Sequence, residues 1–111
     1  MIDFCKYDVV VVKFPFASSL KYKARPAVIV SSNQYNKNSR DTLIILAISS
    51  QIENKLNFEK NIKNWEQTNL LKPSIFKSSI ATIERELVIT KLGSLSSSDQ
   101  ENLNTLLENI C

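Results

Sequence analysis

The 111-residue sequence predicts a mainly-β fold: a small antiparallel β-barrel with a short internal helix and a C-terminal helix. Three observations predict it. Short apolar runs recur along the chain, each bounded by polar turn formers. The first of them, Val9 to Val12, is continuous in valine, the pattern of a strand buried on both faces. Near the end, Leu103, Leu106, Leu107 and Ile110 fall at i, i+3, i+4 and i+7, one apolar face of a helix.

The elements follow in order. Residues 8–16 read as a first strand, with Pro15 marking its end because proline has no backbone donor. Residues 17–25 read as a polar, basic loop and residues 26–32 as a second strand. The turn formers of residues 33–41 separate it from a third strand, Thr42 to Ser49, whose end turns abruptly polar. Residues 52–60 alternate loosely, with a short edge strand placed at Leu56 to Phe58. Residues 61–69 read as the short internal helix, carrying Ile62 and Trp65 on one side. Residues 70–76 lead into a further strand, Ile80 to Ile83 forms a fifth and Leu87 to Leu92 a sixth. Ser98 and Glu101 have the spacing of a capping box opening the terminal helix.

Length and composition describe one domain over residues 1–111. The chain has one glycine, Gly93, and three prolines, too few for a flexible linker. Cys5 and Cys111 lie near opposite ends, which is neither a disulfide framework nor a metal motif. No apolar segment is long enough to span a bilayer and no signal-peptide pattern opens the chain, so no membrane contact is expected and a cytoplasmic location is the default. A net charge of +3 permits an anionic partner without demanding one. Histidine is absent, which removes the commonest general base and metal ligand. Neither a metal nor a cofactor is expected, and Gly93 alone cannot make a glycine-rich phosphate loop.

Three features bear on chemistry. Lys21, Lys23 and Arg25 surround Tyr22, an arrangement that suits a single-stranded nucleic acid and equally describes a solvated basic loop. Arg25 precedes Pro26 and is biased towards extended backbone leading into the strand. Its planar guanidinium matches phosphate oxygens, while a structural ion pair with Asp8 or Glu84 is the competing reading. Ser49 ends the third strand. By itself it reads best as a strand-end hydroxyl bonded to backbone, since no base stands ready to make it a nucleophile. Trp65 reads as core.

From Asp8 to Phe16 and from Arg25 to Ser32, the chain resembles the MazF/PemK family of toxin endoribonucleases. The likeness continues through Ile45 to Gln51, Leu71 to Ile75, Ile80 to Ile83 and Lys91 to Leu95, in the family's order. The resemblance implies an SH3-like barrel that works as a homodimer. It implies metal-independent, sequence-selective cleavage of single-stranded RNA, usually mRNA, and a cognate antitoxin whose C-terminal segment covers the RNA-binding face. It places catalysis on Arg25 and on the hydroxyl of Ser49, where the family usually has threonine. Expected RNA contacts are Phe16, Ser18, Lys21 and Lys23 around the first loop, with Gln51 and Lys77. Two further departures stand out: Tyr7 occupies a position where glycine is common, and Lys77, Ser78 and Ser79 replace a neighbourhood that often carries an acid. The alternative on the same barrel is a catalytically weak or inactive member, or a toxin that acts by binding only, like the related gyrase poisons.

Overall fold

The computed structural model describes residues 4–15, 22–38 and 40–110. Six strands form one sheet: β1 (Asp8–Pro15), β2 (Tyr22–Ile29), β3 (Thr42–Ser49), β4 (Lys60–Asn61), β5 (Ile75–Glu84) and β6 (Val88–Ser94). Two helices accompany them, α1 (Asn33–Asn38) and α2 (Ser97–Ile110). The strand order is β4-β5-β3-β2-β1-β6 and each pairing described is antiparallel. The sheet is not closed, because β4 and β6 each pair on one side only. The mainly-β class holds, as does the C-terminal helix; a closed barrel is not what the pairing shows.

Both faces of the sheet are buried, as the valine run predicts. Val9, Val28, Leu46, Ile48 and Phe76 pack on one side with Leu103 and Leu106 of α2, Ile62, Leu70 and Leu95. Trp65 is partly buried against this cluster, as a core residue. Val10, Val12, Ala27, Ile29, Leu43, Ile45 and Ile83 form the second cluster, on the other side. The period of two along a strand explains the division, since Val9 and Val10 must point to opposite faces.

Several boundaries differ from the sequence reading. β2 begins at Tyr22, so Tyr22 to Arg25 is strand rather than loop. Its pairing with β3 covers only Ala27 to Ile29, leaving the start of β2 as an edge on that side, where Pro26 is tolerated. α1 forms within residues read as turn; the Ser32 hydroxyl caps it by accepting the Tyr35 N–H at 3.1 Å. Residues 63–69 are successive turns, not a helix, with i to i+3 bonds such as Gln67 N–H to Asn64 O at 3.1 Å. The short edge strand lies at Lys60–Asn61, beyond Leu56 to Phe58. The segments near Ile75 and Ile80 are one strand, β5, interrupted by a bulge. Leu46 faces Ile80 and Ile48 faces Phe76, so Lys77, Ser78 and Ser79 together stand opposite Ala47. The helix is capped at Ser96, two residues earlier than the Ser98/Glu101 spacing suggests. Ser96 Oγ accepts the Asp99 N–H at 3.3 Å and donates to the Asp99 carboxylate at 3.2 Å.

Backbone constraints act at Gly93 and Tyr7 among others. Gly93 lies where the 65–68 turn crosses β6, and a Cβ there would come within 3.3 Å of the Thr68 Cα. Tyr7 enters β1 with φ at 75°, in the left-handed region that glycine occupies without strain. A glycine would take up this turn without strain, so the departure expected at Tyr7 falls on a backbone position that favours glycine. Tyr7 is held there by its own N–H to Ile29 O at 2.8 Å, its carbonyl from Leu95 N–H at 3.0 Å, and its hydroxyl to Asn104 of α2 at 2.9 Å.

Candidate functional site

The β2–β3 ladder ends at the pair Ala27 and Ala47. Two residues beyond each lie Arg25 and Ser49, at the same end of neighbouring antiparallel strands. The period of two puts Arg25 on the face of Ala27, and Ser49 on the face of Ala47. On its other side Arg25 is paired with Val12, which is buried in the second cluster. A rigid, buried strand thus carries an exposed arginine at its open edge.

Ser49 is half-buried, and its Oγ accepts the Gln51 N–H at 3.1 Å. This is the strand-end bond to backbone expected of such a hydroxyl. It also fixes the oxygen, and a hydroxyl oxygen used as an acceptor keeps its proton for donation. Gln51 is exposed, and its side chain accepts from Asn54 Nδ2 at 3.3 Å. Lys77 is exposed on the β5 bulge, two residues from Ile75, the cross-strand neighbour of Ser49. Lys23 lies in β2 opposite Phe14. Phe16, Ser18 and Lys21 lie outside the described residues.

The two carboxylates considered as partners of Arg25 have other settings. Asp8 sits four residues along β1 from Val12. It is buried, accepting from Cys5 N–H at 2.8 Å and Ser94 Oγ at 2.8 Å, with Lys91 Nζ at 3.3 Å. Glu84 faces Thr42, at the opposite end of β3 from Ser49. A hydrogen bond with Glu86, and the charge of that second carboxylate, raise its pKa above the ordinary value. An open groove of about 490 Å³, lined by Arg40, Asp41, Glu84, Arg85 and Glu86, lies at that far end and includes none of the predicted site residues.

Sequence reading missed Glu59. It is only 3% exposed. One carboxylate oxygen accepts the Leu56 N–H at 2.9 Å; the other accepts the Ser78 N–H at 2.6 Å and the Ser78 hydroxyl at 2.8 Å. Burial pushes its pKa up, but these hydrogen bonds and the charge of Lys77 outweigh burial and leave it below the ordinary carboxylate value. The stretch from Lys77 to Ser79 therefore does have an acid, supplied from another segment. Only a loop glutamate near a weak edge strand marks it in the sequence. Among the described residues, no cluster of Cys, Asp or Glu has an arrangement that would hold a metal ion, and no helix is long and apolar enough to cross a membrane.

The described residues thus form a six-stranded antiparallel sheet with Arg25 and Ser49 at adjoining strand ends. Residues 6–111 match the family described as the PemK-like, MazF-like toxin of type II toxin–antitoxin systems, and the chain belongs to that family. Among solved structures it is similar to a mycobacterial endoribonuclease in complex with its cognate antitoxin. That match has 17% identity and a TM-score of 0.73, over 98% of this chain and 93% of the other. It is also similar to the Mycobacterium tuberculosis toxin MazF-mt6, at 18% identity and a TM-score of 0.73 over 92% and 93% of the two chains. A MazE–MazF structure from Deinococcus radiodurans matches at 14% identity and a TM-score of 0.78, over 99% and 96%. At these identities the likeness is one of fold. Among curated protein sequences, none matches the chain significantly.

Proposed function

We propose that the chain is the toxin of a type II toxin–antitoxin pair and an endoribonuclease that cuts single-stranded RNA, chiefly mRNA, at specific sequences. The observation that carries this reading is the placement of Arg25 and Ser49 at the same end of β2 and β3, within a chain of this family. RNA supplies its own nucleophile, the 2′-hydroxyl beside the scissile phosphate. The 2′-hydroxyl gives up its proton to solvent as its oxygen attacks phosphorus, the bond to the 5′-oxygen breaks, and that oxygen takes a proton from solvent and leaves as a 5′-hydroxyl. The other product ends in a 2′,3′-cyclic phosphate. Such a reaction needs alignment and charge stabilisation more than a protein nucleophile.

Arg25 supplies the charge. Its guanidinium meets the non-bridging oxygens as the phosphorane gains a second negative charge. Its role is that of a planar donor to the phosphate oxygens, not of a base. Ser49 donates to one non-bridging oxygen while the Gln51 N–H holds it in place. Lys23, Gln51 and Lys77, with Phe16, Ser18 and Lys21, contact the flanking nucleotides. The open sheet curls as a partly open, SH3-like barrel that works as a homodimer. A cognate antitoxin binds the chain, a reading supported by an endoribonuclease–antitoxin complex of the same fold; its C-terminal segment covers the RNA-binding face.

The test is incubation of the protein with long single-stranded RNA in the presence of a chelator. Wild type cleaves, and Arg25→Ala loses at least about a hundredfold in rate, the scale of removing one transition-state donor. If neither protein cuts RNA, the enzymatic reading falls and a toxin that acts by binding alone takes its place.

A further inference from the structure

Glu59 does more than fill space. A carboxylate this buried is costly unless each oxygen finds donors. Here one oxygen takes the Leu56 N–H and the other takes two donors from Ser78. The two ends of this clamp belong to different segments. Leu56 follows the 3-10 turn Ile52–Asn54, from which the Asn54 and Lys55 amides bond back to Gln51 and Ile52. Ser78 is the middle of the β5 bulge, flanked by Lys77. A bulge leaves a strand residue without its ladder partner, and the Glu59 carboxylate receives the Ser78 N–H. A further bond ties the segment down, from Lys55 Nζ to the Glu59 carbonyl at 3.0 Å.

The clamp therefore joins the segment that starts at Gln51 to the bulge that carries Lys77. Both flank Ser49: Gln51 bonds its oxygen, and Lys77 follows two residues after its cross-strand neighbour Ile75. We propose that Glu59 is a positioning residue that locks these two segments in register, so that Gln51 and Lys77 present one fixed surface to the nucleotides beside the scissile phosphate. This rests on the endoribonuclease reading above. Glu59 itself touches no substrate. Its effect is preorganisation, which governs RNA affinity and the choice of site before it governs the chemical step.

Glu59→Gln tests it, with Ser78→Ala as a milder companion that keeps the backbone N–H contact. Glu59→Gln preserves the size of the side chain while replacing one acceptor oxygen by a donor, so it breaks the clamp without opening a cavity. Cleavage kinetics are measured on an RNA carrying the preferred site and on one carrying the next-best site. For Glu59→Gln, KM for the preferred RNA rises about tenfold while kcat moves less than about threefold, and the ratio of kcat/KM between the two sites narrows. Ser78→Ala shifts both quantities in the same direction by less. Because the two groups share one contact, the double variant loses less than the two single losses combined. Circular dichroism confirms that the variants are folded. If folded Glu59→Gln keeps the wild-type KM and site ratio, the positioning role is wrong while the endoribonuclease reading stands. If it lowers kcat alone, the positioning role is wrong too. If wild type cuts no RNA, both readings fall.

Discussion

Tyr7 offers a stability test that isolates one backbone angle. Its φ of 75° lies in the left-handed region, which costs a residue with a Cβ about 1–2 kcal/mol. Compare Tyr7→Ala with Tyr7→Gly. Both lose the hydroxyl bond to Asn104 and the packing of the ring against the α2-side core, so both fall below wild type, by about 2–4 kcal/mol. They differ in the Cβ alone. In an ordinary extended position alanine is the more stable of the two, by about 0.5–1 kcal/mol of backbone entropy. At this φ the strain relieved by glycine exceeds that entropy, leaving glycine ahead by about 0.5–1 kcal/mol. For a domain of this length the difference is about 2–6 °C in Tm. Thermal unfolding followed by circular dichroism reads it, with urea midpoints as a check. A Tyr7→Ala protein as stable as Tyr7→Gly would falsify the assignment of strain to this residue.

Two further predictions concern buried carboxylates. Asp99 is fully buried, accepting the Lys63 and Asn64 N–H groups at 2.8 and 2.9 Å while closing the Ser96 cap of α2. Asp99→Ala should cost about 3–5 kcal/mol in chemical denaturation, and Asp99→Asn less, since one acceptor oxygen remains; equal losses would contradict this. Glu59 has a native pKa below its ordinary 4.5, so its stabilisation is complete above that value and is lost as pH falls through the native one. The stability gap between wild type and Glu59→Gln should therefore be constant near neutral pH and shrink on acidification. A gap that does not change between about pH 7 and pH 3 would show that the carboxylate charge contributes nothing.

Elements are legible where sequence pattern and packing agree. β3 can be read to its last residue because Asp41 and Ser50 flank an almost unbroken apolar run. The continuous valines of β1 announce two buried faces, and α2 follows from its apolar stripe. The reading fails where tertiary contacts decide. Tyr22 to Arg25 resembles a loop because it is basic and precedes Pro26, yet pairing with β1 makes it strand. Lys77 to Ser79 looks like a break in β5 because a polar bulge interrupts an apolar pattern. α1 has little apolar periodicity and depends on the Ser32 cap and the buried Asn36. Residues 61–69 have the apolar side chains of a helix, but these are anchored through turns and through the Asp99 carboxylate. The site divides in the same way. Arg25 and Ser49 lie in motifs that can be read along the chain. Glu59 and Ser78 are 19 positions apart, and only the folded sheet brings them together.

The central claim is that Arg25 and Ser49 direct RNA's own 2′-hydroxyl at the scissile phosphate. The most direct measurement is the chemistry of the cut ends, by mass spectrometry of a defined oligoribonucleotide after treatment in a chelator. The account predicts a 2′,3′-cyclic phosphate on one fragment and a 5′-hydroxyl on the other, with both absent for Arg25→Ala. Fragments ending in a 3′-hydroxyl and a 5′-phosphate, or the same cleavage by Arg25→Ala, would contradict it.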